Sequence, residues 1–216
     1  MTTQNVFIIE CMRPNCRFRF HASTSQGGQN CPKCGGPISE RVYEIPETPH
    51  RQTAATDLPV IEVLMDNIRS AYNVGSILRT SDAAGVAHLH VSGVSPTPDQ
   101  EKVRKTALGA EFTIPWTQHW NALDAIRAAR SRGLQIVSLE INPSAVSLFE
   151  LPSSALRFPI LFVLGNEVTG VDPAIQSLSD LTVEIPMYGI KRSINVSNAF
   201  SIAVYFLRSK SLDKNK

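Results

Sequence analysis

The sequence predicts an α/β protein, with a mostly parallel β-sheet covered by helices on both faces and preceded by a small cysteine-containing module. From residue 60 onward, short apolar segments alternate with amphipathic ones. Apolar strands that alternate with helices are typical of parallel sheets buried on both sides. All four cysteines lie within the first 34 residues, and residues 46–59 are rich in Pro, Thr and Ala. We therefore expect a four-cysteine module at 1–45, a linker at 46–59 and the α/β domain at 60–216.

The helices of the α/β domain are predicted from apolar spacing and from their end signals. The first is expected at 71–84, where apolar residues recur at helical spacing and Gly85 follows. A second is expected at 121–132, before Gly133, and a short third one begins at Asp172-Pro173 and ends at Leu178. A C-terminal helix carries one apolar face, formed by Val196, Ala199, Phe200, Ala203, Val204 and Leu207.

The strands are predicted as the short apolar runs between these helices. Each is too short for a helix and is bounded by turn or cap residues. They lie at 60–65, 86–91, 134–139, 160–164 and 181–185.

Composition restricts the function only weakly. The chain has 216 residues, 43% of them hydrophobic, and a net charge of +2, so any nucleic-acid surface must come from local clusters of Lys and Arg. No apolar run approaches the roughly 20 residues that cross a bilayer. Residues 6–9 are too short for the apolar part of a signal peptide. We therefore expect a cytoplasmic protein without membrane association.

The four cysteines form two close pairs, Cys11/Cys16 and Cys31/Cys34, with fourteen residues between the pairs. This spacing is typical of a structural Zn²⁺ site with four thiolate ligands, which leaves no open position for catalysis. Disulfides and unrelated thiols are the alternatives, and disulfides are rare in a reducing compartment. Basic residues exceed acidic ones here, so RNA contact and an ordinary solvated face are equally good interpretations.

Three polar motifs of the α/β domain are candidates for its chemistry. The first places Asn73, Ser76 and Arg79 three residues apart on the first predicted helix, which by itself indicates an exposed face. The second, 162–172, runs from a buried strand into a loop with Gly165 and Gly170. This loop lacks the Lys-Ser/Thr of a triphosphate-binding loop, and no strand is followed by the dinucleotide-binding glycine pattern.

The third motif, 185–199, leads from a strand into the C-terminal helix. Ser193, Asn195, Ser197 and Asn198 are unfavourable inside a helix but favourable at its N-terminus. Free N–H groups at a helix N-terminus can bind an anion or a carboxylate. A turn with a helix cap is the simpler interpretation of this motif when it is taken alone.

Taken together, the three motifs resemble the SpoU class of RNA 2′-O-ribose methyltransferases within the SPOUT superfamily. The resemblance covers about residues 60–208, and its most specific parts are Gly165-Asn166-Glu167 with Gly170 and the stretch Ser193 to Ser197. The stretch 105–110 also resembles a family loop, in which a serine is more usual at the centre. The cysteine module lies outside this resemblance.

The resemblance implies a C-terminal trefoil knot, a homodimer and S-adenosylmethionine bound in the knot. Arg79 would reach the cofactor site of the partner subunit. The residues that would bind the cofactor are Leu139, Leu164, Gly165, Asn166, Ile185, Pro186, Met187, Ser193, Ile194 and Asn195.

The implied reaction is methyl transfer to a ribose 2′-hydroxyl of tRNA or rRNA. The family assigns activation of this hydroxyl to the arginine, here Arg79. A guanidinium stays protonated in proteins, so phosphate binding and stabilisation of the 2′-oxyanion are an equal alternative to proton abstraction. Glu167 would order Arg79 or its own loop, while Asn73, Ser193 and Asn195 would position substrate and cofactor.

Two other functions compete with RNA methylation: a non-catalytic RNA-binding adapter on the same fold, and methylation of a small molecule or a protein. Retention of the polar residues of all three motifs in one chain argues against the adapter. RNA recognition requires basic surface around the cleft. The residues that could supply it are Lys102, Arg104, Lys105, Lys191 and Arg192.

Overall fold

The computed structural model describes residues 6–23, 30–39, 43–44 and 58–213. The chain divides into two compact units, 1–54 and 55–216. Most of the predicted linker, residues 46–57, lies outside the described residues, so its bounds stay a prediction. No helix of the described ranges is both long and apolar enough to cross a membrane.

The first unit contains a small antiparallel sheet. Its strands are β1 (Val6–Glu10), β2 (Arg19–Ser23) and β3 (Tyr43–Glu44), in the order β2-β1-β3. Cys11 follows β1 directly, and its N–H donates to the carbonyl of Phe18 (2.9 Å). A second turn is closed by the N–H of Gly35, which donates to the carbonyl of Cys31 (2.8 Å). Each turn therefore carries one pair of cysteines.

The second unit contains a seven-stranded sheet in the order β6-β5-β4-β9-β7-β10-β8. All of its strand pairs are parallel, which confirms the predicted sheet type. The strands are β4 (Ile61–Asp66), β5 (His88–Ser92), β6 (Trp116–His119), β7 (Gln135–Leu139), β8 (Val146–Ser147), β9 (Ile160–Leu164) and β10 (Leu181–Glu184).

Five α-helices connect or follow these strands: α1 (Ala71–Ala84), α2 (Glu101–Ala107), α3 (Ala122–Ser131), α4 (Pro173–Leu178) and α5 (Val196–Asp213). Helices α1, α2 and α5 pack against one face of the sheet, and α3 and α4 pack against the other. The side chains of β9 alternate between the two faces of the sheet. Phe162 packs in the core beneath α1, α2 and α5, and Leu161 and Val163 pack in the core beneath α3 and α4. Helices on both faces are thus confirmed.

Helix α5 is fixed to the end of α1 by a buried arginine. The guanidinium of Arg208 is 7% exposed and donates to the carbonyls of Pro59, Ala84 and Gly85 at 2.7–3.0 Å. Gly85 ends α1 in the left-handed region (φ 67°), where glycine carries no steric cost. Because Arg208 lies in the C-terminal part of α5, these contacts fix that part of the helix beside the end of α1.

A buried polar network crosses β4, β5 and β6 on the α3 side. Glu62 is only 6% exposed and accepts two hydrogen bonds of 2.6 Å from Arg132 and one of 2.9 Å from His90 Nε2. Burial by itself raises the pKa of Glu62, but the hydrogen bonds from His90 and Arg132 outweigh it and lower the pKa to about 2. Glu62 is therefore ionised at neutral pH.

Glu62→Gln should lower the free energy of unfolding at pH 7 by about 3 kcal/mol, since the pKa falls from 4.5 to about 2 on folding. The folded pKa lies below the unfolded one, so this stabilisation exists above about pH 5 and disappears as the pH falls toward 2. Urea unfolding at pH 7 and pH 3, followed by tryptophan fluorescence, measures it because both tryptophans lie in the second unit. Glu101→Gln, with an 83% exposed side chain, is the control. An equal loss of unfolding free energy at pH 7 and pH 3 contradicts the assignment of a lowered pKa to Glu62.

Candidate functional site

A cavity of about 480 Å³ lies at the carboxyl ends of β7, β9 and β10, beside the start of α5. Parallel sheets bind ligands at this edge. Of the ten residues expected to bind the cofactor, all but Pro186 line the cavity. Pro186 lines an adjoining cavity of about 320 Å³ together with Ile185 and Met187. The structure thus brings together segments that lie far apart in the sequence.

The loop after β9 forms one wall of the cavity and returns sharply on itself. The N–H of Asn166 donates to the carbonyl of Gly170 (3.0 Å), and the N–H of Gly170 donates back to Asn166 (2.9 Å). A Cβ atom on Gly165 would overlap the backbone of Gly170 and Val171. Glycine is therefore required at 165 by the return of the loop itself, a reason that the sequence pattern did not indicate.

Side chains hold this loop from both ends. Asn166 Oδ1 accepts from the N–H groups of Val168 (2.8 Å) and Thr169 (3.1 Å), and its Nδ2 donates to the carbonyl of Asn67 (2.7 Å). Glu140 Oε2 accepts from the N–H of Val171 (2.6 Å). Glu140 is not among the residues predicted from the sequence, although its position directly after a buried strand is a signal for a candidate.

A chain of hydrogen bonds joins the three motifs. Asn195 Nδ2 donates to Asn73 Oδ1 (3.0 Å), and Asn73 Nδ2 donates to Glu167 Oε1 (2.8 Å). Glu167 also accepts from the N–H groups of Arg69 (2.9 Å) and Ser70 (3.2 Å), which precede α1. The loop after β9, the start of α1 and the start of α5 therefore form one connected structure.

Glu167 is held as an anion in this arrangement. Partial burial favours its neutral form, but the N–H of Arg69, the Asn73 amide and the N–H of Ser70 outweigh it, so the pKa of Glu167 is lowered. A carboxylate with a lowered pKa is a weak proton acceptor at neutral pH. Its contacts show that it orders the loop before α1.

Asn195 caps helix α5. Its Oδ1 accepts from the N–H of Ser197 (2.9 Å) and from the Ser197 hydroxyl (2.7 Å). This confirms that the third motif forms a helix N-terminus. Ser193 is exposed and lines the cavity just before the helix.

Arg79 lies away from this chain of hydrogen bonds. It is exposed on α1, six residues beyond Asn73 and therefore about 9 Å farther along the helix. Asn73, by contrast, is 4% exposed, so the two residues do not form one polar edge. Within the described ranges, Arg79 makes no hydrogen bond or ion pair, and Glu167 contacts Asn73 and the preceding loop instead.

The basic residues considered for RNA contact are all exposed and fall into two groups. Lys191 and Arg192 line the adjoining cavity. Lys102, Arg104 and Lys105 lie on α2. This helix packs so closely on α1 that a Cβ atom at Gly75 would overlap it. Both groups therefore flank elements of the candidate site.

The four cysteines form a compact cluster in the first unit. Their sulfur atoms all lie within 4.8 Å of one another, with Cys11–Cys34 at 3.6 Å and Cys16–Cys31 at 3.9 Å. Four thiolates around one zinc ion at 2.3 Å would be separated by about 3.8 Å. A hydrogen bond from the Gly36 N–H lowers the pKa of Cys34 to about 7, whereas burial raises the pKa of Cys11 to about 12. The four residues fit a tetrahedral metal ion.

Comparison with known proteins gives relatives that align with most of this chain. The chain is 29% identical over 147 residues to the tRNA (guanosine(18)-2′-O)-methyltransferase of Escherichia coli strain K12, covering 68% of this chain and 62% of that protein. It is 28% identical over 169 residues to the 23S rRNA (guanosine(2553)-2′-O)-methyltransferase RlmP of Bacillus subtilis strain 168, covering 75% and 66%. The chain thus spans less than two thirds of the length of either relative.

A solved structure agrees with the fold. The AdoMet-bound rRNA methyltransferase from Sinorhizobium meliloti superposes with a TM-score of 0.66 at 26% identity, covering 71% of this chain and 57% of that one. The model of the SpoU rRNA Methylase family matches residues 60–205, which include all three motifs. The chain therefore belongs to the SpoU rRNA Methylase family.

Proposed function

We propose that this protein transfers a methyl group from S-adenosylmethionine to a ribose 2′-hydroxyl of tRNA or rRNA. The observation that carries the proposal is the hydrogen-bonded chain Asn195–Asn73–Glu167, whose two end residues, Asn195 and Glu167, line the cavity at the carboxyl edge of the sheet. Relatives of this chain are named as 2′-O-methyltransferases of tRNA and rRNA. Such substrates would place the reaction in the cytoplasm.

The cavity suits S-adenosylmethionine in size and chemistry. Its volume of about 480 Å³ lies within the range of small-molecule sites. Leu139, Leu164 and Ile185 offer apolar surface for an adenine ring, while Glu140 and Glu184 offer carboxylates for a cationic ligand. When bound, S-adenosylmethionine supplies an electrophilic methyl carbon next to a positive sulfur.

In the proposed step, a bond forms between the ribose 2′-oxygen and the methyl carbon, and the bond from sulfur to carbon breaks. Sulfur would keep the bonding electron pair as a neutral thioether, and the proton of the 2′-hydroxyl would pass to solvent water. We assign to Arg79, reaching the cofactor site of the partner subunit in the proposed dimer, the stabilisation of the 2′-oxyanion and a neighbouring phosphate, because its guanidinium is exposed and charged. Glu167, already ionised and fully engaged, positions Asn73.

Mapping ribose methylations in total RNA from cells with and without this protein tests the proposal. We expect one or a few sites to lose their methyl group in the deletion and to regain it with the parent gene. An Arg79→Ala gene that restores the same sites overturns the assignment of Arg79. An unchanged methylation map overturns the proposed substrate class.

The proposal includes the C-terminal trefoil knot that the family resemblance implies. Residues 164–168 and 193–196 line the same cavity, so the two loops that would grip the cofactor lie together. The knot itself, in which one part of the chain would pass through a loop of another, stays a prediction.

The proposal also includes a homodimer through helix α5. Phe200, Val204 and Leu207 are buried, but Ile202 and Tyr205 (51% exposed) add apolar surface on another side. A helix that is apolar on more than one side requires more than one packing surface. Light scattering at micromolar concentration should return about twice the chain mass of 23.7 kDa. A mass near 24 kDa throughout contradicts the dimer.

We further propose that Cys11, Cys16, Cys31 and Cys34 hold one structural zinc ion. Cys31→Ser should release the metal and loosen residues 1–45 while the second unit stays folded, because removal of one thiolate opens the tetrahedral site. Metal analysis of protein prepared under reducing conditions measures the stoichiometry, and tryptophan fluorescence reports the second unit. Parent protein without zinc, or with a Cys–Cys bond, contradicts the assignment.

A further inference from the structure

An exposed aromatic and basic surface lies beside the cysteine cluster, outside the segment that the family model matches. Phe18 (38% exposed) and Phe20 stack with ring centroids 5.7 Å apart and planes 20° apart. The ammonium group of Lys33 lies 5.9 Å from the centre of the Phe18 ring. We call Phe18, Phe20 and Lys33, with the flanking Arg17 and Arg19, the Phe18 patch.

The Phe18 patch is assembled by the two cysteine turns. Phe18 ends the first turn, where its carbonyl accepts from the N–H of Cys11 (2.9 Å). Lys33 lies between Cys31 and Cys34 in the second turn. A metal ion that joins the turns would therefore fix the aromatic and basic groups against each other.

Two phenylalanine rings beside a metal cluster would usually be buried together, but here one ring is over a third exposed. Phe18 directly precedes β2 and Phe20 is its second residue, and β2 is an edge strand among the strands described for this unit. Exposed aromatic rings on a strand are the platforms on which proteins stack unpaired bases. A paired duplex hides its base faces, so such a platform selects single strands.

The charges around the rings complement a phosphate backbone. Residues 1–45 contain five Lys or Arg side chains, Arg13, Arg17, Arg19, Lys33 and Arg41, and three acidic ones, Glu10, Glu40 and Glu44. Glu10 pairs with Arg17 (3.1 Å) and lies 3.9 Å from Arg19, so one carboxylate faces two guanidinium groups. A zinc ion with four thiolates adds about two negative charges, so the module as a whole is close to neutral. The charge that complements a phosphate is therefore local, and it comes from Arg17, Arg19 and Lys33 around the two rings.

We propose that the Phe18 patch binds a single-stranded segment of RNA. Phe18 and Phe20 stack on unpaired bases, while Lys33 and the arginines contact the phosphates. This inference deepens the proposed function by adding an RNA-binding surface that lies outside the methyltransferase segment. It gives the cysteine module a role in choosing substrates that carry an unpaired strand.

The test uses the full chain with zinc and two probes, a labelled 12-nucleotide oligouridine and a 12-base-pair RNA duplex. Phe18→Ala should weaken oligouridine binding about tenfold, because a base–aromatic stack contributes about 1–3 kcal/mol. Lys33→Gln should lower the salt dependence, reducing the slope of log affinity against log salt by about 0.7. Trp120→Ala removes an 86% exposed aromatic from the second unit and should change neither quantity.

Zinc content is measured for each variant. If Phe18→Ala loses the metal, the inference is judged on Lys33→Gln alone, because Lys33 is exposed. Parent-like affinity and salt slope in both variants overturn the inference, as does an equal loss in Trp120→Ala. Failure of the parent protein to bind either RNA probe also overturns the inference, and it leaves a protein as the partner of the Phe18 patch. Methyl transfer is assayed on the same samples, so a parent that binds oligouridine without methylating RNA contradicts only the proposed function.

Discussion

Arg79→Ala should slow methyl transfer at least a hundredfold and leave the affinity for S-adenosylmethionine nearly unchanged. Arg79 lies about two turns beyond Asn73 on α1, and it does not line the cavity of the same chain. A charged group that acts on the 2′-oxyanion stabilises the transition state more than the bound cofactor. Loss of one such contact costs on the order of 3 kcal/mol, which corresponds to about a hundredfold in rate.

Calorimetry gives the cofactor affinity of this variant, and tritium transfer to RNA gives its rate. Arg127→Ala, an exposed arginine of α3 paired with Asp124, is the matched control and should keep the parent rate. Arg79→Lys separates the two roles, since lysine keeps the charge but loses the planar fork. Partial activity of the lysine variant supports electrostatic stabilisation. Methylation by Arg79→Ala at the parent rate contradicts the assignment.

Gly165→Ala should weaken S-adenosylmethionine binding by up to about a hundredfold. The added methyl group would overlap the backbone of Gly170 and Val171, and no side-chain rotation can relieve a clash with backbone. Overpacking of this kind costs typically about 1–3 kcal/mol, and here it displaces the loop that forms one wall of the cavity. Calorimetric titration with the cofactor measures the loss.

Gly189→Ala is the matched control for this substitution. A Cβ at Gly189 meets no atom within 4 Å, although this glycine lines the adjoining cavity. We therefore expect cofactor binding within about twofold of the parent, since exposed substitutions change stability by about 0.5 kcal/mol or less. An equal loss of cofactor affinity in Gly165→Ala and Gly189→Ala would show that the loop after β9 has no special packing requirement.

The elements that the sequence predicted best have clear end signals. Helix α1 occupies the expected residues 71–84 because Gly85 stops it, and α4 begins at Pro173 because Asp172 caps it. Strand β9 has the predicted bounds because its five residues are apolar and fully buried. In these segments, local chemistry and tertiary packing agree.

The elements that the sequence did not reveal lack such signals. Strand β6 lies at the sheet edge, where none of its four residues is fully buried, so no apolar run marks it. Helix α2 buries only Val103 and Ala107, and its N-terminal Gln100 makes no side-chain cap. Strand β8 has two residues, too few for any periodicity.

The candidate site was predictable in its residues but not in its connections. The motif spacing and the family resemblance supplied Asn73, Glu167 and Asn195. The hydrogen bond between Asn73 and Asn195 spans 122 positions of sequence, and no local pattern encodes such a contact. The same limit hid Glu140, whose role depends on a loop that returns to it 31 residues later.

One measurement tests the central claim most directly. Purified protein is incubated with tritium-labelled S-adenosylmethionine and RNA from cells that lack the protein, and the RNA is then digested to nucleosides. A ribose methyltransferase places the label in 2′-O-methylnucleosides, and Arg79→Ala reduces that label at least about a hundredfold. Label in base-methylated nucleosides, or no label in any tRNA or rRNA fraction, contradicts the proposed function.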